Sequence, residues 1–361
     1  MAKISSRQLY FLLACIMPVG KLILMPTHLV YEAKNDLLIP AAVNILIQAG
    51  MIFLVMLLSR SNKQLYDMLE YTFGRVVAKV LTLLFSLFLF FAALFPLLEQ
   101  KQLVQSVFYD TLPSLLVFSP FFIFSIYICA TPISSFGRVW DLLAPISIVG
   151  FIGIMAFSIG SADFGALLPF GAAGTRAIIS GGAYTMSWFF DSALLLSLVG
   201  KFEYKKNMAW KSSLFYLLGG FAILLFLAVF YGIFEGLALR QSFAFSKMSK
   251  YFSAITALGR IDYIFIYALS LVMAYFCTLP LHAGVDCLNR ALGGNKVATP
   301  LYSAGINLVM LFLMFLLDNN FQGANNLITK TLFWLFPLFC VLIPALCLLL
   351  RRSPREKRKV S

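Results

Sequence analysis

Charge is scarce in this chain. Of 361 residues only 12% are Asp, Glu, Lys or Arg, and two are histidine. A soluble protein of this length covers its surface with charged and polar groups, so a soluble globular class is excluded. His28 and His282 are too few for a histidine-based metal centre, and no metal site is expected. The six cysteines (Cys15, Cys129, Cys277, Cys287, Cys340 and Cys347) fall mostly inside apolar runs, with no CxxC spacing. They read as small buried hydrophobes, not as a disulfide frame. A Gly-rich nucleotide loop, an HExxH motif and a soluble face with paired carboxylates are all missing. No enzyme and no cofactor is expected. Long alternating apolar/polar runs are missing too, which excludes a membrane β-barrel.

Apolar residues are what the chain has in abundance: 61% of the total, with mean hydropathy +0.90. They form long continuous runs, each near the roughly 20 residues that cross a bilayer as a helix. Ten spans are read, at 8–32, 37–58, 79–108, 113–130, 139–159, 178–200, 212–236, 262–288, 299–317 and 329–350. The expected fold is an all-α polytopic membrane protein, one ten-helix domain over 1–350 embedded in the lipid bilayer, followed by a basic tail at 351–361. The segment Gln8 to Met25 lacks a small-residue cleavage site and is followed by more spans, so it is read as the first span and not as a signal peptide.

The net charge of +13 is explained by topology, not by nucleic acid, which is not expected as a partner. With the N-terminus inside, basic residues gather in the cytoplasmic segments: Lys3 and Arg7; Arg60, Lys63, Arg75 and Lys79; Arg138; Lys201, Lys205, Lys206 and Lys211; Arg290 and Lys296; and the tail. Both termini are then cytoplasmic. The stretch 237–261 falls outside, and its mixture of basic and apolar residues reads as an interfacial amphipathic helix. The tail reads as an anchor against anionic lipid.

Two charges stand where membrane segments tolerate them poorly. Lys21 lies in the first span, flanked by Pro18, Gly20 and Pro26. Asp191 lies in the sixth, preceded by Gly181, Gly182 and Ser187. An ionisable group at membrane depth costs at least about 2.5 kcal/mol and usually faces a cavity, a partner or a substrate path. Ten spans divide into five plus five, and an odd number per half inverts the second half. Spans one and six, the two with breaks, are then equivalent, as in inverted-repeat transporters with a midplane site. The candidate site residues are Gly20 and Lys21 of the first break; Ser187, Trp188, Phe190 and Asp191 of the second; and Glu99 of span three.

Several readings of the charges are open. Lys21 can pair with Asp191 or with Glu99, stand as a fixed cation where a transporter of this type binds sodium, or exchange a proton. Asp191 can cap the helix that follows it, contact a ligand ammonium, or carry a proton. Glu99 and Lys101 can snorkel to the interface or reach the site from the side. His282 and Asp286, four apart on one face, suit a local hydrogen bond. Glu32, Arg138 and Asp141 read as facing water.

The chain resembles the B subunits of spore nutrient germinant receptors, a branch of the amino acid–polyamine–organocation transporter superfamily. The resemblance is carried by the opening Ile4 to Leu13, Gly20 followed by Leu24-Met-Pro26, the turn Glu32-Ala33-Lys34-Asn35-Asp36, Leu65 to Glu70 with Phe73-Gly74-Arg75, and Asp163-Phe164 with Leu167-Leu168-Pro169-Phe170. It implies a LeuT-type inverted repeat with discontinuous spans one and six, and a site between them for a small nutrient, often an amino acid. It also implies assembly with A and C subunits in the spore inner membrane. Two departures fall in that site: Lys21 stands where the family usually has a small polar residue, and the Phe-Gly-acid pattern of span six reads Phe190-Asp191 without its glycine. Apart from a germinant receptor subunit, two readings are carried: a proton-coupled amino acid permease of the same fold, and a membrane scaffold with no ligand.

Overall fold

The computed structural model describes residues 3–108, 113–250, 262–295, 297–317 and 320–349. Among these, seven helices are long and apolar enough to cross a membrane: Leu38–Ser61, Arg75–Phe108, Ile133–Ser161, Met208–Arg240, Tyr263–Ala291, Thr299–Leu316 and Gly323–Leu349. An eighth crossing is a broken pair, Ser6–Lys21 and Met25–Asp36, bent by 62°. The apolar helix Leu116–Ala130 is shorter. The sixth apolar run, read at 178–200, is two short helices with a break between them. The basic tail lies outside the described residues, as does 251–261 of the stretch expected to lie at the interface.

In chain order, α1 is Ser6–Phe11 and α2 is Met25–Ala33, followed by α3 (Leu38–Leu58), α4 (Leu65–Phe73), α5 (Arg75–Phe108), α6 (Ser114–Ala130) and α7 (Ile133–Ser158). Then come α8 (Thr175–Thr185), α9 (Asp191–Ser197), α10 (Met208–Phe234), α11 (Ala244–Met248), α12 (Asp262–Ala291), α13 (Thr299–Leu316), α14 (Phe321–Pro337) and α15 (Ile343–Leu349). A capping box starts α1: Ser5 Oγ accepts from Gln8 N at 3.3 Å, and Ser5 N donates to Gln8 Oε1 at 2.9 Å. Gln8 also donates to Asp141 Oδ2 at 2.8 Å, and Arg7 pairs with the same carboxylate at 3.1 Å, which ties α1 to α7.

The outward side chains of α6, α10, α13 and α14 are apolar: Ile123 and Tyr127, Leu218 and Phe221, Leu308 and Phe312, and Trp334 are all exposed. Such a surface is stable only in lipid. The polar residues point inward instead. Asn44, Gln48, Lys21, Glu99, Gln100, Lys101 and Asp191 are all buried. Glu99 and Lys101 therefore do not snorkel; they face the protein interior, where α5 packs against α12 and α14.

The packing is pairwise. α5 lies on α12 in the most extensive interface, α3 lies on α10, α6 on α13, and α2 on α8. An interface as extensive as that of α6 with α13 joins α7 to α12, and smaller ones join α5 to α14, α5 to α6 and α12 to α13. The outer stretch opens in the 3₁₀ turn Glu235–Arg240, where Leu237 and Leu239 are exposed, but α11, which follows, is not an interfacial helix. Ala244, Phe245, Ser246 and Met248 are buried against the first break, because the backbone there offers carbonyls that α11 satisfies.

Candidate functional site

The first break begins where Pro18 removes a backbone donor. The helix widens to a π turn at Leu12–Ile16, tightens to a 3₁₀ turn at Met17–Lys21, and resumes only at Met25. Helix interruption at membrane depth is tolerated only where the freed groups find partners inside the protein. They do. Cys15 O accepts from Ser147 Oγ at 2.7 Å, Ile23 O from Ala244 N at 2.9 Å and Leu22 O from Phe245 N at 3.3 Å. Two glycines permit the close packing around this turn. A Cβ on Gly20 would sit 2.9 Å from Phe276 Cε1, and one on Gly219 of α10 would sit 2.7 Å from Pro18 Cγ and 2.8 Å from Ala14 O.

The second break follows α8. Met186–Trp188 form a 3₁₀ turn, Phe189 and Phe190 leave helical geometry, and α9 starts at Asp191. Gln48 of α3 bridges this gap: its Nε2 donates to Phe189 O and its Oε1 accepts from Ser192 N at 3.2 Å. Asn44, one turn earlier, donates to Gly182 O at 3.0 Å and to Thr185 Oγ1 at 3.1 Å.

The two breaks meet through charge. Lys21 Nζ lies 2.8 Å from Asp191 Oδ2 and 3.0 Å from Oδ1, and it donates to Met17 O at 3.1 Å. Nζ thus has three oxygens within 3.1 Å. Asp191 Oδ2 also accepts from Tyr216 of α10 at 2.7 Å. The face of Phe189 lies 5.3 Å from Nζ, near enough for a cation–π contact. Lys21 and Asp191 are 1% and 0% exposed, so this is a closed, neutral cluster with its hydrogen bonds filled.

Glu99 sits differently. One oxygen accepts from Trp188 Nε1 at 2.9 Å, while Oε2 has no partner among the described residues, and the side chain is fully buried. The Trp188 ring stands edge-on to Phe95 with centroids 4.5 Å apart, and 5.4 Å from His28. Tyr184 completes a ring cluster, 5.4 Å from His28 and 6.1 Å from Trp188.

A family model described as spore germination protein matches residues 3–322. The chain belongs to the spore germination protein family. No curated protein matches it. Membership agrees with an integral membrane protein of germination or permease type and with no enzymatic role.

All seven residues singled out in this spore germination protein lie on or beside the two breaks. Lys21 pairs with Asp191 and not with Glu99. Glu99 meets Trp188. Gly20 lies against Phe276, whose ring is 6.2 Å from that of Phe190. Ser187 is buried and turned back onto Tyr184 O at 3.3 Å. The pairing expected of His282 and Asp286 does not form. His282 Nε2 lies 2.9 Å from Thr131 O, and Asp286 pairs with Lys201 at 2.9 Å and with Arg290 at 2.9 Å. Thr131, just after α6, and Lys201, in the loop after α9, reach these residues from other parts of the chain, and Arg290 one turn along α12 completes the partners of Asp286. Glu32 accepts from Ser180 Oγ at 2.6 Å instead of facing water alone.

Residues that the sequence reading passed over complete the arrangement: Asn44, Gln48, Tyr216, Phe276, His28 and Tyr184. Asn44 and Gln48 carried a usable signal, two amides four apart in an apolar helix. Tyr216 and Phe276 carried none, because an aromatic residue in a membrane segment is ordinary.

Proposed function

We propose that this chain is the membrane subunit of a spore nutrient germinant receptor, and that it binds a small nutrient, an amino acid, beside the two helix breaks. Gly20, Lys21, Ser187, Trp188, Phe190, Asp191 and Glu99 line or hold the site. The Lys21–Asp191 pair locks the breaks in register, so that a ligand seated on one is felt by the other. The observation that carries this reading is the meeting of two interrupted helices, from segments 170 residues apart in the chain, at a fully buried ion pair. Interrupted helices at membrane depth that contribute backbone to an interior are the hallmark of midplane ligand sites.

The packing supports a ten-span, five-plus-five inverted repeat of LeuT type. Number the spans so that α1 with α2 is the first, α8 with α9 the sixth, and α14 with α15 the tenth. The pairs α3 on α10, α5 on α12 and α6 on α13 are then each an element on its own repeat mate. The other contacts also come in mates: α7 with α12 answers α14 with α5, and α5 with α6 answers α12 with α13. A two-fold relation between the halves accounts for both sets at once. In this reading both termini are cytoplasmic, the membrane is the spore inner membrane, and A and C subunits are the partners.

Ligand-induced thermal stabilisation of the purified protein tests the nutrient site, because a ligand that binds only the native state raises its stability by mass action. A panel of amino acids, sugars and nucleosides is run on the wild type, Lys21→Ala and Asp191→Asn. At least one compound stabilises the wild type and neither variant. Equal stabilisation of all three proteins, or of none, removes the site from the breaks. The second reading is a proton-coupled amino acid permease of the same fold. Net uptake of the stabilising compound into proteoliposomes selects it.

A further inference from the structure

The charge available to a ligand is not at the ion pair. Lys21 donates to Met17 O and Asp191 Oδ1 and lies 2.8 Å from Oδ2, which accepts from Tyr216, so both groups already have partners. Glu99 has the opposite character. Its carboxyl is 0% exposed, one oxygen accepts one hydrogen bond from Trp188, and the other oxygen has no partner among the described residues. Its neighbour Gln100 donates to Ser270 at 2.8 Å, and Lys101, two positions on, projects from another side of the helix. A buried carboxylate that lacks a counterion is costly, so such groups are either paired or placed for something that pairs with them.

The surroundings suit a cation. Trp188, His28 and Tyr184 face one another at 5.4 to 6.1 Å between centroids. Aromatic faces attract organic cations, and most strongly where water is excluded. The cluster is graded: His28 and Tyr184 are half-buried, Trp188 is buried, and Glu99 lies behind it. Glu32, one turn beyond His28 on α2, adds a second carboxylate at the accessible end, where it accepts from Ser180. Acidic groups thus stand at both ends of the aromatic cluster.

We propose that Glu99, with Trp188, His28 and Tyr184, is the subsite for an ammonium group, so that the ligand class is a primary amine, including a free amino acid, and not a sugar or nucleoside. This rests on the nutrient-binding reading above and assigns the ligand's amine to Glu99. The ammonium donates to Glu99 Oε2 and lies against the Trp188 ring. The Lys21–Asp191 pair stays closed throughout.

The test is a stability titration of the whole purified chain in nanodiscs. The probes are the free amino acids, their N-acetyl derivatives, short alkylamines, glucose and inosine. A free amino acid or an alkylamine stabilises the wild type, and its N-acetylated form does not. Glu99→Gln raises the concentration needed at least tenfold, while its ligand-free melting temperature equals or exceeds that of the wild type, because glutamine keeps an acceptor for Trp188 Nε1 and places no ionisable carboxyl in the interior. A merely structural glutamate gives the reverse, with lower ligand-free stability and unchanged binding, and that result overturns the proposal. Equal stabilisation by the N-acetylated form overturns it too, and this comparison needs no variant, so it decides the matter even if Glu99→Gln does not fold. Stabilisation by glucose or inosine that Glu99→Gln leaves intact overturns the amine subsite and leaves the nutrient site standing. If no probe stabilises the protein, both readings fall together.

Discussion

Removing Lys21 leaves Asp191 as a buried charge with only Tyr216 for company. For unit charges 2.8 Å apart, an effective dielectric constant of 20 gives an attraction of about 6 kcal/mol. The cost of taking two ions out of water is several kcal/mol each, so the net value of the intact pair is near zero. The cost of breaking it is not. One uncompensated buried ion destabilises by about 3–5 kcal/mol. Lys21→Met should reach the lower part of that range, because the Tyr216 hydroxyl, 2.7 Å from Asp191 Oδ2, still stabilises the anion. Asp191→Asn strands the lysine among the Met17 carbonyl and the Phe189 ring and costs at least as much. The double variant Lys21→Met/Asp191→Asn buries no charge and recovers most of the loss. Unfolding free energies from SDS titration in mixed micelles, read by circular dichroism, give the coupling energy directly. If the two single losses add in the double variant, the pair is not what joins the breaks, and the reasoning fails.

Three more outcomes follow from the same geometry. Gln48→Leu leaves Phe189 O and Ser192 N without partners and lowers stability by about 1–3 kcal/mol per stranded group in the same titration. Gly20→Ala drives a methyl to 2.9 Å from the Phe276 ring and costs about 1–3 kcal/mol by overpacking; Phe276→Leu restores room, so the double variant is more stable than Gly20→Ala alone. Tyr216→Phe removes one hydrogen bond to a charged acceptor and costs about 1.5–3 kcal/mol, with the Lys21–Asp191 contact kept; a loss greater than that of Lys21→Met refutes this ranking.

The class of the protein and the location of both breaks were legible in the residues alone. Apolar runs near bilayer length exclude a soluble fold. Pro18 with Gly20 marks the first interruption, and Gly181, Gly182 and Ser187 lie just before the second. These signals are local: a proline lacks its donor whatever packs against it, and a run of apolar residues seeks lipid or a core whatever its neighbours are. Lys21 and Asp191 were singled out for the same reason, since a charge in an apolar segment is conspicuous by itself.

Partnership was decided elsewhere. Lys21 had two acidic candidates in the sequence, and the packing of α9 beside the first break selected Asp191, leaving Glu99 to Trp188. Spacing within one helix misled the reading of His282 and Asp286, because Thr131 and Lys201 reach them from other elements. Composition suggested an interfacial helix for the stretch that holds α11. Its backbone instead completes Leu22 and Ile23, whose carbonyls the first break had freed. Hydropathy and helix breaking are properties of a residue and its near neighbours, so sequence determined them. Which buried group meets which depends on contacts between segments far apart in the chain, 170 residues for Lys21 and Asp191 and 89 for Glu99 and Trp188, and only the tertiary structure brings those together.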